Sequence, residues 1–562
     1  MAKSSNKDLR KIIPLLLCAF LVLSTVLTGC RNEAPADDEA TAEKYTAIAP
    51  SGTYVGHDND GVTEFLGIRY AAPIERWKAP TDVTTTMEDI IEASEWGPSC
   101  IQPDDEVEVA SKWEQSEDCL QLNIWTKDIA TIGKPVLVFI HGGGAWQGGT
   151  WDPLYDGEHF VRNLPQSEDA VMVTINYRLG IFGSLNLSQL DGYSDEYADA
   201  VNLAILDQIQ ALKWINENIE AFGGDPNNVT MFGQSAGGGA TCTLMAIPEA
   251  NQYFHKAILE SGVIFNRQIS VEKSMENAQI VFDILGVTSV EELMDISDKQ
   301  IQNDFIADIM SAVGTPQRVA DGRIVPLDCW SALNSGVAKD IDVMIGTTNG
   351  EYDFLATDWD NFPDAIEDPD YIWQRIVRSR NSGGGSAAVW SVVDYPDVVE
   401  EYLALGDDPV MRMMDLYNDS MYRQPSIYIA QALSRWNPNL YMYCWTWAPE
   451  ARLVIELEGD AAEVSPFGRA MHCMELIFVF GTLEDGSPEL GVPGEAMPTE
   501  LMQKSQATWY AFALTGNPNN ELIPTWEAYN STSRLTMLMD EEWEIVSDPR
   551  AQDRIVLDQV QP

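Results

Sequence analysis

The chain has 562 residues, 45% of them hydrophobic and 9% aromatic, which suffices to bury a large core and excludes a disordered or fibrous protein. Its 34 basic and 87 acidic residues give a net charge of −53, which argues against nucleic acid as a partner and against attraction to an anionic lipid surface other than through an anchor. A solvated acidic surface explains this charge more simply than a site for a cationic ligand.

The N-terminal segment predicts export. Four basic residues precede an apolar run at 12–27, and the sequence LTGC at 27–30 closes that run. This ending resembles a bacterial lipobox, which implies cleavage before Cys30, a lipid on the Cys30 thiol and attachment of the exported protein to the bacterial cell membrane. An ordinary secretory peptide or a short transmembrane anchor is the alternative. Residues 30–46 are rich in Ala, Asp and Glu and predict a flexible tether.

Two apolar runs that end in glycine-rich turns predict buried strands. Residues 135–140 lead into HGGG, and residues 171–175 lead into NYRLG. Apolar residues then recur at helical spacing between 202 and 222, where GGDP ends the helix. A short strand at 229–232 is followed by GQSAGGGA and a helical segment, so a strand, a tight turn and a helix follow one another.

Strands and helices alternate over most of the chain, which predicts an α/β protein with a large, mostly parallel central sheet flanked by helices. Further strands are predicted at 257–259, 343–345 and 440–445. Helical or loop excursions are predicted for the stretches without clear strand signals, which are 265–315, 355–410 and 449–465.

The pattern Gly233-Gln234-Ser235-Ala236-Gly237 marks a candidate nucleophile. A serine hydroxyl attacks well only when a base takes its proton, and a sharp turn between a strand and a helix lets such a serine project above a sheet. The pattern alone is a weak signal, and a plain glycine-rich turn is the alternative. Its position between a predicted strand and a predicted helix favours Ser235 as the nucleophile.

The loop His141-Gly142-Gly143-Gly144 follows a strand and precedes the candidate nucleophile. Glycines in such a loop let backbone N–H groups approach a substrate oxygen closely and stabilise the oxyanion of a tetrahedral intermediate. We therefore predict that Gly143, Gly144 and Ala236 donate to this oxyanion. The alternative is a glycine-rich loop without a catalytic role.

The chain has only five histidines, which are His57, His141, His159, His255 and His472. If the order is nucleophile, acid and histidine, the base follows Ser235, which leaves His255 and His472. His255 lies twenty residues after the serine, too close for an acid-bearing strand end to fit between them. The base is therefore predicted to be His472.

The order of the motifs does not identify the catalytic acid, since 87 carboxyl groups compete for the role. Glu351 is attractive because it follows the strand-like VMIGT in a predicted loop. The alternative for Glu351 is an ordinary surface carboxylate.

Taken together, the motifs resemble the type B carboxylesterase and cholinesterase family over about residues 47–545. The matching motifs, in family order, are FLGIRYAAP, SEDCLQLNIW, HGGGAWQGG, NYRLGIFG, ALKWINENIEAFGGDPNNVTMFGQSAGG, IGTTNGEYDF, RAMHCMEL and FALTGNPN. The resemblance implies an α/β-hydrolase fold with helical and loop insertions over the active site. It also implies hydrolysis of small to medium, neutral carboxylic esters through an acyl-enzyme, with no metal or cofactor.

The resemblance assigns a role to six residues: Ser235 as nucleophile, Glu351 as acid, His472 as base, and Gly143, Gly144 and Ala236 as the oxyanion hole. It also implies a disulfide between Cys100 and Cys119, and it leaves four cysteines unpaired, which are Cys242, Cys329, Cys444 and Cys473.

The predicted organisation follows from these motifs. It comprises a signal peptide at 1–29, a lipidated tether at 30–46, one catalytic domain at 47–548 and a C-terminal tail at 549–562. No sequence feature indicates an oligomeric state.

The chain departs from the family pattern at several positions. Gln234 stands where Glu usually precedes the nucleophile, which removes a negative charge beside the triad and disfavours choline esters. Tyr352 replaces the glycine that commonly follows the acid. Glu260 stands where Gln is usual. The next residue, Ser261, is a candidate hydrogen-bond partner of the triad. Trp113 is only a nearby candidate for the choline-binding tryptophan of cholinesterases.

Two other functions fit the same sequence. One is a catalytically silent binding or adhesion module, although such relatives typically lose the nucleophile that this chain keeps. The other is a lipase or a hydrolase of amides or polyesters, which shares the triad and differs in the loops around it.

Overall fold

The computed structural model of the chain describes residues 45–103, 113–263, 268–353, 369–381, 392–448, 454–457, 460–463, 468–482 and 498–560. The predicted signal peptide, Cys30 and the tether up to residue 44 lie outside the described residues. One compact unit spans Lys44–Pro562.

The strands are numbered in chain order. They are β1 (Thr46–Ala49), β2 (Gly52–Val55), β3 (His57–Asn59), β4 (Val62–Arg69), β5 (Ile90–Glu92), β6 (Gln121–Thr126), β7 (Lys134–Ile140), β8 (Val171–Ile175), β9 (Gly224–Gln234), β10 (Lys256–Glu260), β11 (Gln268–Ile269), β12 (Arg318–Val319), β13 (Asp342–Thr348), β14 (Leu440–Trp445), β15 (Val454–Leu457), β16 (Asp460–Glu463), β17 (Leu535–Met539) and β18 (Glu544–Ser547). Strands β7, β8, β10, β13 and β14 lie where apolar runs predict them, and β9 extends beyond the predicted 229–232 at both ends.

The α-helices are α1 (Gly157–Asn163), α2 (Gly180–Gly183), α3 (Leu203–Asn218), α4 (Ala236–Met245), α5 (Val271–Leu285), α6 (Val290–Asp295), α7 (Asp298–Gln300), α8 (Ile306–Val313), α9 (Cys329–Asn334), α10 (Pro369–Asn381), α11 (Pro396–Leu403), α12 (Pro409–Asn418), α13 (Gln424–Leu433), α14 (Leu476–Phe480), α15 (Thr499–Thr515) and α16 (Ala551–Leu557). Turns of π-helix join α7 to α8 at Ile301–Phe305 and α12 to α13 at Asp419–Arg423. Short 3-10 helices lie at Pro153–Tyr155, Asp195–Asn202, Ile219–Phe222, Ala250–Gln252 and Val392–Asp394. Within the described ranges, no helix combines the length and apolar character needed to cross a bilayer.

A mixed sheet forms the centre of the fold, with the strand order β18-β17-β14-β13-β10-β9-β7-β8-β6-β4-β3. Neighbouring strands run parallel from β17 to β8. The outer pairs, from β8 to β3 and between β17 and β18, run antiparallel. The mostly parallel sheet predicted from the alternation of strands and helices is therefore confirmed.

Strand β7 shows why the central strands read as continuous apolar runs. Val136, Val138 and Ile140 pack into a core on one face of the sheet, together with residues of α3, α4 and α13. Leu137 and Phe139 pack into a core on the other face, with residues of α1, α14 and α15. Because helices cover both faces, apolar residues occupy successive positions rather than alternate ones. Burying each such side chain contributes about 1.5–3 kcal/mol of stability.

Two further apolar cores include residues of the predicted excursions and extend beyond them. Helices α5, α6 and α8 pack into one of them. Helices α11, α12 and α16 share the other. Within 449–465, the described residues form the antiparallel hairpin β15–β16 instead of a helix or loop.

The C-terminal segment is part of the folded unit. Residues 549–562 are predicted as a tail, yet α16 lies within them and buries Val556 and Leu557 in the same core as Tyr402. The folded chain therefore continues past residue 548, because apolar residues after that point have a core to enter.

Parallel strands bring several predicted site residues to one edge of the sheet. Ser235 follows β9, Ser261 follows β10 and Glu351 follows β13, all at the carboxyl ends of neighbouring strands. His141 follows β7 at the same edge. In open α/β sheets this edge is where ligands bind.

Candidate active site

The turn that carries Ser235 joins β9 to α4 and has no room for side chains on its glycines. A Cβ on Gly237 would lie 1.8 Å from the carbonyl oxygen of Ile140, and a Cβ on Gly233 would lie 2.6 Å from the carbonyl carbon of Gly237. Ser235 itself has φ 55° and ψ −121°, a conformation that residues with a side chain rarely adopt. The close packing of the turn therefore requires the glycines of the sequence pattern.

Backbone hydrogen bonds hold the strained residue in place. Ser235 N–H donates to the carbonyl of Glu260 at 2.9 Å, and Ser235 C=O accepts from Gly239 N–H at 2.9 Å. Glu260 is the last residue of β10, so the neighbouring strand fixes the turn. The Ser235 residue is 7% exposed.

The Glu351 carboxylate accepts three hydrogen bonds. Its Oε1 accepts from Ser261 Oγ at 2.7 Å and from Thr348 N–H at 2.8 Å. Its Oε2 lies 2.6 Å from His472 Nδ1. The side chain is buried, so these donors replace water and orient the carboxylate toward the imidazole. Ser261 thus supports the acid.

Several contacts join the loops that carry Glu351 and His472. His472 N–H donates to the carbonyl of Glu351 at 3.0 Å. Arg469 pairs with the buried Asp353 through Nη2 and Oδ1 at 2.6 Å, and through Nε and Oδ2 at 2.7 Å. The sequence reasoning missed this ion pair. Opposite charges inside the two motifs RAMHCMEL and IGTTNGEYDF were the signal that could have revealed it.

The second imidazole nitrogen of His472 contacts Gln234. With the Nδ1 proton donated to Glu351, Nε2 accepts from the Gln234 side-chain amide at 3.1 Å. Over the described ranges, no hydrogen bond joins Ser235 Oγ to His472. Catalytic hydrogen bonds often form only once a substrate is bound. In this state, the Gln234 amide therefore occupies the position that the Ser235 hydroxyl would need in order to donate its proton to His472 Nε2.

The HGGG loop presents unpaired backbone donors. Gly143 and Gly144 have φ of 92° and 63°, and a Cβ on Gly143 would lie 2.1 Å from the carbonyl oxygen of Gln147. In the part of the chain that the structure describes, the N–H groups of Gly143, Gly144 and Ala236 have no hydrogen-bond acceptor. These three groups are available to a substrate oxygen.

The two other histidines near the central strands, His141 and His255, have surroundings that suit a structural role. The His141 ring stacks on Tyr177 with centroids 4.5 Å apart, and burial lowers the pKa of His141 to about 4, which keeps the ring neutral. His255 precedes β10 at the opposite edge of the sheet, and its Nδ1 accepts from Val229 N–H at 3.3 Å. This placement explains physically why His255 is a poor candidate for the base.

The cysteines divide as the family resemblance implies. Cys100 and Cys119 form a disulfide with Cα atoms 5.0 Å apart, so that prediction is confirmed. In the described chain, no disulfide forms at the other four cysteines, which are Cys242, Cys329, Cys444 and Cys473. Burial raises the pKa of the Cys473 thiol well above its usual range, which disfavours the reactive thiolate beside the imidazole.

A row of tryptophans extends from the disulfide loop toward the segment after HGGG. Trp113 stacks on Trp151 with centroids 6.2 Å apart and an interplanar angle of 27°. Trp96 contacts both Trp113 and Trp125. Trp125 and Trp151 are buried, whereas Trp96 and Trp113 are partly exposed, so the rings form an aromatic cluster with a partly exposed side.

Comparisons with known proteins agree with this geometry. The sequence profile of the Carboxylesterase family matches residues 49–555. The chain is 33% identical over 533 residues to the para-nitrobenzyl esterase of Bacillus subtilis (strain 168), covering 90% of this chain and 96% of that protein. It is 31% identical over 449 residues to the liver carboxylesterase of Sus scrofa, covering 74% of this chain and 72% of that protein.

Solved structures of esterases share the fold. A PNB esterase structure superposes with a TM-score of 0.75 at 31% identity, covering 92% of this chain and 99% of that one. A Geobacillus stearothermophilus carboxylesterase superposes with a TM-score of 0.73 at 28% identity, covering 92% and 100%. The α/β-hydrolase fold predicted from the sequence is therefore confirmed, and the chain belongs to the carboxylesterase family, whose members hydrolyse carboxylic ester bonds.

Proposed function

We propose that Ser235 is the nucleophile of this esterase and that His472 and Glu351 activate it. The observation that carries the proposal is the 2.6 Å contact between His472 Nδ1 and Glu351 Oε2 beside the strained turn of Ser235. That contact favours the tautomer with its proton on Nδ1. The lone pair then lies on Nε2, the nitrogen that must take the serine proton.

Acylation begins when the hydroxyl of Ser235 replaces the amide of Gln234 at His472 Nε2. As Oγ attacks the ester carbonyl carbon, Nε2 takes the hydroxyl proton, and Glu351 stabilises the imidazolium. The imidazolium gives this proton to the departing alcohol, which leaves an acyl group on Oγ. Water then attacks the acyl-enzyme by the same route and releases the carboxylic acid.

The oxyanion of each tetrahedral intermediate is held by backbone donors. The N–H groups of Gly143, Gly144 and Ala236 have no other acceptor in the described chain, which supports this role. Donors held by the backbone need no reorganisation as charge develops on the oxygen, and each contributes about 2.7–4 kcal/mol to the transition state.

The proposed substrates are small to medium, neutral carboxylic esters. Gln234 brings no charge to the Nε2 side of His472, so a cationic ester gains nothing from this position. Trp113, which stacks on the buried Trp151, is a partly exposed apolar ring that suits an uncharged acyl or alcohol group.

The nucleophile is tested with Ser235→Ala and a short-chain nitrophenyl ester. We expect kcat to fall by about four to six orders of magnitude, because the residual rate comes from binding and the oxyanion donors alone. A fluorophosphonate probe should label the wild-type chain and not the variant. Wild-type turnover in a folded Ser235→Ala variant would refute the assignment, and an unlabelled, inactive wild-type chain would favour a binding module.

We also propose that a lipid on Cys30 anchors the exported enzyme to the bacterial cell membrane. The LTGC sequence supports this, as does the Cys100–Cys119 disulfide, since disulfides persist mainly in oxidising compartments. Membrane fractions of cells that express the full chain should contain the wild type, and Cys30→Ala should lose the lipid label. A soluble, unlabelled wild type would overturn the anchor.

A further inference from the structure

Two glutamates lie fully buried behind the proposed triad, and the mechanism above uses neither carboxyl group. Glu260 ends β10, and Glu475 lies three residues after His472. Both residues are 0% exposed. The carbonyl of Glu260 accepts the N–H of Ser235, and the next residue, Ser261, donates to the acid. The two glutamates therefore stand at the base of the nucleophile turn and of the histidine loop.

Their carboxyl groups have few hydrogen-bond donors. Trp509 Nε1 donates to Glu260 Oε1 at 2.7 Å. Among the described residues, Glu260 Oε2, both carboxyl oxygens of Glu475 and the hydroxyl of Tyr443 have no partner. Buried polar atoms rarely stay unpaired, and a proton on either carboxyl group would supply a donor to these oxygens.

The charges that act on Glu475 come from other acids. Burial raises the pKa of Glu260 and of Glu475, and repulsion from Glu260 and then from Glu351 raises the pKa of Glu475 further. The other titratable groups that face them are Tyr443, Cys473 and Tyr155. No lysine or arginine of the described chain offsets either charge. Two carboxylates without a cation cannot both stay ionised in such a site.

We propose that Glu260 and Glu475 share one proton and act as a positioning pair that ties the turn of Ser235 to the loop of His472. This inference rests on the proposed function of those two residues. The protonated carboxyl of one glutamate donates to the carboxylate of the other, a charge-assisted hydrogen bond. When hydroxide takes this proton and forms water, the donor is lost, the two carboxylates repel, and the nucleophile and base lose their alignment.

The family pattern supplies a matched variant. Gln is usual at position 260, and an amide there would donate to Glu475 at every pH. Glu260 donates only while the pair holds its proton. Glu260→Gln therefore keeps the size of the side chain and makes the donor permanent, which separates the shared proton from simple packing.

The test compares the pH dependence of kcat for the wild type and Glu260→Gln, from about pH 6 to about pH 10, with an uncharged short-chain ester. We expect wild-type kcat to fall at the alkaline end and Glu260→Gln to retain its kcat, with a difference of about tenfold or more. Glu64→Gln is the control. Glu64 is 5% exposed and accepts from the Trp125 indole at 3.2 Å, but it lies in β4, so its variant should keep the wild-type alkaline limb.

Glu475→Gln provides an independent variant, because its amide would donate to Glu260, and it should also retain kcat at alkaline pH. Circular dichroism shows which of the two variants remains folded. If kcat of a folded variant falls at alkaline pH as it does in the wild type, the proposal of a shared proton is overturned. Fluorophosphonate labelling separates the two proposals. A labelled wild type with an unchanged limb in the variants refutes the pair alone, whereas an unlabelled wild type refutes the function proposed for Ser235.

Discussion

At the scale of single residues, the Gln234 side chain determines what the imidazole of His472 meets before a substrate binds. Gln234→Glu removes the donor at 3.1 Å from Nε2 and places a negative charge there. A carboxylate stabilises the imidazolium, so we expect the acid limb of kcat/KM to move to higher pH. The same charge should raise the preference for a choline ester over its uncharged carbon analogue by about fivefold, or about 1 kcal/mol. Steady-state kinetics with the two esters measures both effects.

Gln252→Glu is the control for Gln234→Glu, because it adds the same charge at an exposed position on the Ala250–Gln252 turn. It should leave the acid limb and the ester preference unchanged. If Gln234→Glu also leaves both unchanged, Gln234 does not contact the imidazole in the working enzyme.

The roles of single residues could be predicted from sequence only where a motif or the order of motifs along the chain constrains them. Ser235 lies in a turn whose glycines are required sterically, and His472 follows from the order of the motifs. The structure brings His472 and Glu351 into contact, while their catalytic roles remain proposals. The contact of Gln234 with the imidazole was not predictable, because the packing of two distant loops sets the direction of its amide.

At the scale of elements, the ion pair of Arg469 and Asp353 holds the loop after β13 against the loop before α14. Arg469→Met keeps most of the side-chain length but leaves Asp353, which is 0% exposed, without its cation. An uncompensated buried charge costs about 3–5 kcal/mol, so we expect the free energy of unfolding to fall by that amount. Urea unfolding of the purified chain measures it, and kcat should fall with it because the two loops carry Glu351 and His472.

Arg323→Met is the matched control for Arg469→Met. Arg323 pairs with Asp199 at the surface, where the Arg323 side chain is 54% exposed. Exposed pairs contribute about 0–1 kcal/mol, so this variant should unfold near the wild-type urea concentration. Equal effects of the two substitutions would show that the Arg469 pair is no more important than a surface contact.

The elements predicted from sequence are those whose own residues form a long apolar pattern. Strands such as β7 are apolar at successive positions, and α3 repeats its apolar residues at helical spacing, so both were placed from sequence. Helix α16 was missed because its seven residues are held by distant partners. Arg550 at its start pairs with Asp419 of the π-helical turn, a contact that no local pattern reveals.

At the scale of the whole molecule, the sheet and its helical layers follow from the alternation of strands and helices, but the distribution of charge does not. Asp419 is buried between Arg423 and Arg550, in a protein with 34 basic residues against 87 acidic ones. Such pairing depends on which surfaces the fold brings together. The unpaired acidic residues are left to repel one another over the remaining surface.

This repulsion makes the stability of the whole molecule depend on salt. Between about 10 mM and about 150 mM ionic strength, the screening length falls from about 30 Å to about 8 Å, which weakens repulsion across the surface more than it weakens buried pairs. We therefore expect the midpoint of thermal unfolding to rise with NaCl over this range, and KCl should have the same effect because screening depends on ionic strength alone. A midpoint that stays flat or falls would mean that the favourable pairs outweigh the repulsion generated by a net charge of −53.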